Sequence, residues 1–136
     1  MKKVKVAIEH GLEGRYLYSA VMEADEVPFG LNGTGKTVAE AKEDLLEAYG
    51  EIRAMMSEAG EEYDELEFDY YYDIPSFLEY YSHILSLAGL ERITGINQRQ
   101  LSHYINGTAR PRKSTVERFR TKLSAFAEDL SSVRIL

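Results

Sequence analysis

An α+β chain in two parts, antiparallel strands under one long helix followed by an all-α segment, is predicted by three observations. Lys3 to Glu9 alternate between apolar and mainly charged residues, Val38 to Ala59 carry an apolar residue every third or fourth position, and the charge changes sign near Asp73. The 136 residues hold 16 Lys+Arg and 23 Asp+Glu, a net charge of −7. Met1 to Asp73 contain 7 basic and 18 acidic residues; Ile74 to Leu136 contain 9 and 5. An acidic part joined to a basic part predicts two domains, 1–73 and 74–136, with different partners, the basic one a candidate for nucleic acid.

In the first part, Val4, Val6 and Ile8 line one face of a half-buried strand, and Lys3, Lys5 and Glu9 lie mainly on the other. His10 to Gly14 read as a turn, and Arg15 to Met22, rich in aromatic and apolar residues, as the second strand of a hairpin. Phe29 to Leu31 are a short third strand candidate. The stripe Val38, Ala41, Leu45, Ala48, Ile52, Met55 and Ala59 gives a helix whose other face is largely acidic, through Glu43, Asp44, Glu47, Glu51 and Glu58. Gly60 closes it, and Leu66 to Tyr72 form a last strand.

Residues Gly30 to Thr37, GLNGTGKT, fit the phosphate-binding pattern G-x-x-x-x-G-K-[ST]. That chemistry requires a buried parallel strand before the loop, but the run before Gly30 is EADEVPF, charged and broken by Pro28. Thr37-Val-Ala-Glu40 is a capping box, so the hydroxyl is explained without magnesium. The octapeptide is expected to be a strand end, a glycine turn and a helix cap.

In the second part, Phe77, Tyr80, Tyr81, Ile84 and Leu85 share a face and predict a helix from about Pro75 to Leu87. Leu90 to Thr94 form a short second helix stopped by Gly95. Asn97 caps a third, Gln98 to Ile105, with Gln100 at the reciprocal position and Leu101 and Ile105 inward. This leaves Gln98, Arg99, Ser102 and His103 outward, near Asn106. Gln and Arg make bidentate contacts with adenine and guanine, so this face suits major-groove base edges. Arg110, Arg112 and Lys113 in the next loop suit the phosphate backbone. Ser114-Thr-Val-Glu117 is a capping box for a fourth helix through Phe126. Phe119, Leu123, Phe126, Leu130 and the tail Val133 to Leu136 either make oligomer contacts or complete a core.

Gly89 to Leu123, through Gly95-Ile96, Leu101, Ile105-Asn106-Gly107 and the basic, proline-containing loop, resemble the Xre/Cro/λ-repressor helix-turn-helix. The whole chain resembles HicB antitoxins that carry such a domain at the C-terminus, with Gly30, Gly35, Thr37, Glu40 and Ala41 matching the first-domain pattern. It departs from many members in having Val27-Pro-Phe-Gly where they carry Pro-Gly-Cys. The resemblance implies a partial RNase H-like first domain that covers HicA, a small basic messenger-RNA-cleaving toxin, and a helix-turn-helix that represses the shared operon as a homodimer or higher homo-oligomer on double-stranded operator DNA.

Other classes carry less. With no cysteine and with His10, His83 and His103 far apart, no metal site is expected, and neither is a cofactor. Glu9, Asp69 and Asp73 are the only plausible metal-holding set for a nuclease, and outward strand carboxylates are more simply solvated, so an enzyme is not expected. Tyr16, Tyr18 and Tyr70 to Tyr72 are candidate pocket residues for a free-standing regulator that senses a ligand or protein. MKKVKV reads as neither signal peptide nor membrane span, and a cytoplasmic protein is expected.

Overall fold

A computed structural model describes residues 1–11 and 17–136. The chain is an α+β protein with a four-stranded mixed sheet and, among the described residues, five helices. It divides into two compact units, Met1–Tyr80 and Tyr81–Leu136.

The first unit is built from β1 (Lys2–His10), β2 (Tyr18–Glu23), β3 (Asn32–Gly35), α1 (Val38–Glu58), β4 (Leu66–Tyr72) and α2 (Ile74–Tyr80). The sheet order is β3-β2-β1-β4. β1 and β2 form the expected antiparallel pair, with Lys5 opposite Glu23 and His10 opposite Tyr18. The Gly11 amide donates to the Leu17 carbonyl at 2.6 Å. Leu12 to Gly14 of the expected turn, and Arg15 and Tyr16 of the expected strand, lie outside the described residues.

Two features differ from the sequence expectation of antiparallel strands with a glycine turn. β4 runs parallel to β1, pairing Lys2 with Leu66 through Ile8 with Tyr72. A parallel neighbour needs a long crossover, and α1 supplies it by carrying the chain back before β4 begins. The third strand is not Phe29 to Leu31 but Asn32 to Gly35, inside the glycine-rich motif, paired with Val21 to Tyr18. Glycine lowers strand propensity, so pattern alone points away from it. Packing reverses that preference. A Cβ on Gly33 would lie 2.5 Å from the Leu45 nitrogen, and one on Gly35 2.8 Å from the Ala41 nitrogen. The two glycines therefore let a strand lie directly against a helix backbone.

The core lies between the sheet and α1: Val4, Val6 and Ile8 from β1, Tyr18, Ala20 and Met22 from β2, and Val38, Ala41, Leu45 and Tyr49 from α1. Ala48 and Ile52 are partly buried against it, whereas Met55, the next residue of the expected stripe, is 69% exposed because the helix has passed the sheet. Thr37 caps α1 as expected, its hydroxyl accepting from the Glu40 amide at 3.1 Å. Gly60, at φ 71°, turns the chain away after the helix. Burial, with the Glu79 and Asp73 carboxylates nearby, pushes the Tyr18 phenol up to about 12.

The first helix expected of the basic part is shorter than predicted and belongs to the first unit. It ends at Tyr80, buries Ile74 and Leu78, and is capped by Asp73, whose Oδ1 accepts from the Ser76 amide at 2.9 Å. The chain thus divides after Tyr80 rather than after Asp73. Three tyrosines hold α2 and β4 to α1: the Lys42 ammonium lies 4.1 Å from the Tyr70 and Tyr80 ring centres and donates to the Tyr72 hydroxyl at 2.8 Å. A cation against aromatic faces in a half-buried site contributes about 1 kcal/mol. Lys42→Met, which keeps the stem and removes the charge, is expected to lower the stability of the first unit by about that amount. Urea unfolding followed by tyrosine signals checks it; an unchanged midpoint would show that the cage does not brace α2.

The second unit contains α3 (Leu87–Thr94), α4 (Gln98–Asn106) and α5 (Lys113–Ser131). Its core is Leu90, Thr94, Ile96, Leu101, Tyr104 and Phe119. Phe119 thereby completes a core, whereas Leu123 and Phe126 are half-buried and Leu130, Val133, Ile135 and Leu136 are exposed. α5 starts before its expected capping box, at an N-cap Arg112 with no side-chain cap bond, and runs five residues beyond Phe126 to Ser131.

Candidate nucleic-acid interface

α4 is set by its two ends. At the start, the Asn97 Oδ1 accepts from the Arg99 amide at 2.8 Å, and Glu91 Oε1 from α3 accepts from the Gln98 amide at 3.0 Å. Asn97 is thus the cap that the sequence predicts, and Glu91, which sequence reasoning missed, supplies a second acceptor. A carboxylate seven residues before its target becomes visible only once α3 is known to turn back at Gly95. That glycine has φ 75°, open to a residue without Cβ, and its carbonyl accepts from Arg118 of α5 at 3.4 Å. At the far end Gly107, φ 74°, closes the helix and its amide returns to the His103 and Tyr104 carbonyls.

The inward face is Leu101 and Tyr104 rather than Leu101 and Ile105, which is half-buried. The three-residue step from Leu101 to Tyr104 puts the larger aromatic into the core. Gln98, Arg99, Gln100, His103 and Asn106 are exposed, and Ser102 is half-buried at the margin. Arg99, His103 and Asn106, four and three residues apart, form one stripe along the helix. Asn97, Gln98, Arg99, Gln100 and His103 also line a shallow hollow together with Glu91.

His103 is oriented. Its Nδ1 lies 2.9 Å from the Thr108 hydroxyl, which itself points its proton at the His103 carbonyl at 3.3 Å. The contact holds the ring at Nδ1 and directs its other nitrogen away from Thr108. Beyond Gly107, Arg110 and Arg112 are exposed in the connection, and Lys113 is exposed as the first residue of α5. The basic residues named from the sequence thus fall on the segment that directly follows α4.

The other candidate chemistries find different partners. Amides within and just after GLNGTGKT are taken by the chain's own carboxylates: Thr34 donates to Asp44 at 2.9 Å, Lys36 to Glu40 at 2.8 Å and Val38, the next residue, to Glu79 at 3.0 Å. An anion there would meet three carboxylates. Of the acidic trio, Asp73 spends its two oxygens on the Ser76 and His10 amides, and among the described residues no group of three His, Asp or Glu is placed to hold a metal ion. Tyr18 is in the core and Tyr70 and Tyr72 surround Lys42; Tyr16 lies outside the described residues. Among the described residues no helix is long and apolar enough to cross a membrane.

Comparison with protein-family models, with curated proteins and with solved structures finds no match. What the structure brings to a functional reading is the geometry of α4 and the charge of the two units.

Proposed function

We propose that the chain is an antitoxin of the HicB type, which binds its own operator through α3 to α5 and neutralises a small basic RNA-cleaving toxin of the HicA type through its acidic first unit. The observation that carries the DNA-binding half of this reading is the exposed face of α4; the HicB and HicA types are what the sequence resemblance implies. A capped helix that turns two amides and a guanidinium outward from its first turn, preceded by a helix and a left-handed glycine, has the form of a helix-turn-helix recognition helix. Arg110, Arg112 and Lys113 then supply phosphate contacts that fix register without reading sequence.

The first unit supports the other half of the proposal. A mixed sheet with one parallel pair and α1 on one face suits a partial RNase H-like domain, and its excess of carboxylates suits rapid capture of a basic, RNA-binding protein. Leu130 and the tail from Val133 to Leu136 offer apolar surface for a second copy, in keeping with paired recognition helices one DNA turn apart. On this reading the protein works by binding, not catalysis, in the cytoplasm.

Two experiments test it together. Selection of duplexes from a random pool by the purified chain is expected to yield one preferred sequence. Tagged protein in host lysate treated with nuclease is expected to retain a small basic protein in stoichiometric amount, and to lose it when residues 1–80 are deleted. A selected duplex without a protein partner leaves the alternative, a free-standing regulator whose first unit senses something else. With neither, the reading falls.

A further inference from the structure

Where β1 and β4 begin, four segments of the first unit line a half-open pocket of about 280 Å³. Val27, Pro28 and Phe29, Met56 near the end of α1, and Leu66 give it apolar walls; Glu26, Glu62 and Asp64 form an acidic rim, with Lys2 as the one lining cation. Its volume lies just under the ~300–1,000 Å³ of sites that enclose a small molecule, which favours a single side chain.

The rim is built rather than loose. Arg53 donates from Nε to the Tyr63 hydroxyl at 3.0 Å and forms an ion pair with Glu65 at 3.3 Å, while the Leu66 amide donates to the Tyr49 hydroxyl at 3.0 Å. These bonds fix residues 63–66 against α1. Glu65 is thereby neutralised, but Glu26, Glu62 and Asp64 have no ion-pair partner among the described residues. A pocket lined by both apolar side chains and unpaired carboxylates has the chemistry complementary to an alkyl chain that ends in a cation.

We propose that this pocket takes the lysine or arginine side chain of a basic protein partner, its stem against Phe29 and Met56 and its charged end between Glu62 and Asp64. For the identity of that partner, this rests on the toxin-neutralising reading; for the binding chemistry it does not.

The test is an amide NMR titration of the full chain with Nα-acetyl-arginine methylamide, with the norleucine analogue and with spermidine. Saturable shifts confined to the amides of Val27, Phe29, Tyr63, Asp64 and Leu66 are expected. The norleucine analogue should bind roughly tenfold more weakly. Glu62→Gln with Asp64→Asn should weaken the arginine probe roughly fivefold, whereas Glu43→Gln with Glu47→Gln, on the outer face of α1, should not. Neither rim carboxylate bonds to the described chain, so the double variant should keep the fold. Shifts that do not saturate, or equal binding by the rim variant, would overturn the proposal. So would tighter binding of spermidine than of the arginine probe, which would assign the pocket to a free polyamine. A partner missing from the lysate experiment, with the pocket binding arginine as expected, would fault only the toxin reading.

Discussion

Gly33→Val is expected to unfold the first unit while leaving the second intact. The added Cβ alone would meet the Ala41 carbonyl and the Leu45 nitrogen, both backbone atoms in the first half of α1. A flexible side chain can step aside from such a contact, but a helix backbone cannot without breaking its ladder or leaving the sheet. Overpacking typically costs ~1–3 kcal/mol, and this site belongs at or above the top of that range. A domain of this size has only about 5–15 kcal/mol in total, so the loss is a large part of its stability. The matched control is Gly50→Ala, on the exposed side of α1 with open space around the new Cβ, expected to stabilise the helix by up to about 1 kcal/mol. Urea unfolding with amide NMR distinguishes the units. A wild-type midpoint for Gly33→Val would mean that β3 does not lie on α1.

The glycines illustrate what a single sequence conceals. Alternation in Lys3 to Glu9 marks β1, the run Leu66 to Tyr72 coincides with β4, and T-x-x-E marks the start of α1, because each signal is local. β3 is set by a non-local contact, and its glycines give the appearance of a turn. The division after Tyr80 was hidden for a related reason. Phe77, Tyr80, Tyr81, Ile84 and Leu85 keep a helical spacing across it, but only the residues up to Tyr80 pack on the first unit as a helix. In the second unit, Gly95 marks the end of α3, and Asn97 and Gly107 mark α4 almost to the residue, since caps are local chemistry. The role of Glu91 at that helix's start depends on tertiary geometry and was not legible.

On the proposed reading, Arg99→Ala is expected to weaken binding to the selected duplex by about 1–3 kcal/mol and to relax preference at one base pair, the worth of one bidentate contact to guanine. Gln98→Ala should do the same at a different position. Both side chains are exposed, and the bonds recorded at these residues use only their backbone amides, so the helix should persist. Arg110→Ala, Arg112→Ala and Lys113→Ala should behave otherwise. Each weakens binding to all sequences alike and lowers the slope of log affinity against log salt by about 1. Titrations at several salt concentrations separate the two patterns. Unchanged affinity and unchanged base preference in both Arg99→Ala and Gln98→Ala would move the recognition surface away from this face of α4.

The parallel pairing of β1 with β4 has a consequence for how the protein is made. β1 pairs with β2, β2 with β3, and α1 packs on β3, but the partner of Lys2 is Leu66, and α2 follows β4 in the chain. Closing so long a loop is slow and carries an entropic cost before any contact repays it. During synthesis the first unit therefore cannot finish its sheet until the ribosome has released Tyr72, nor seat Tyr80 against Lys42 until α2 has followed. The first unit would then be complete only shortly before the basic unit emerges. On the proposed reading, a nascent chain arrested before β4 should be a poor binder, although 15 of the 18 carboxylates of Met1 to Asp73 are already present.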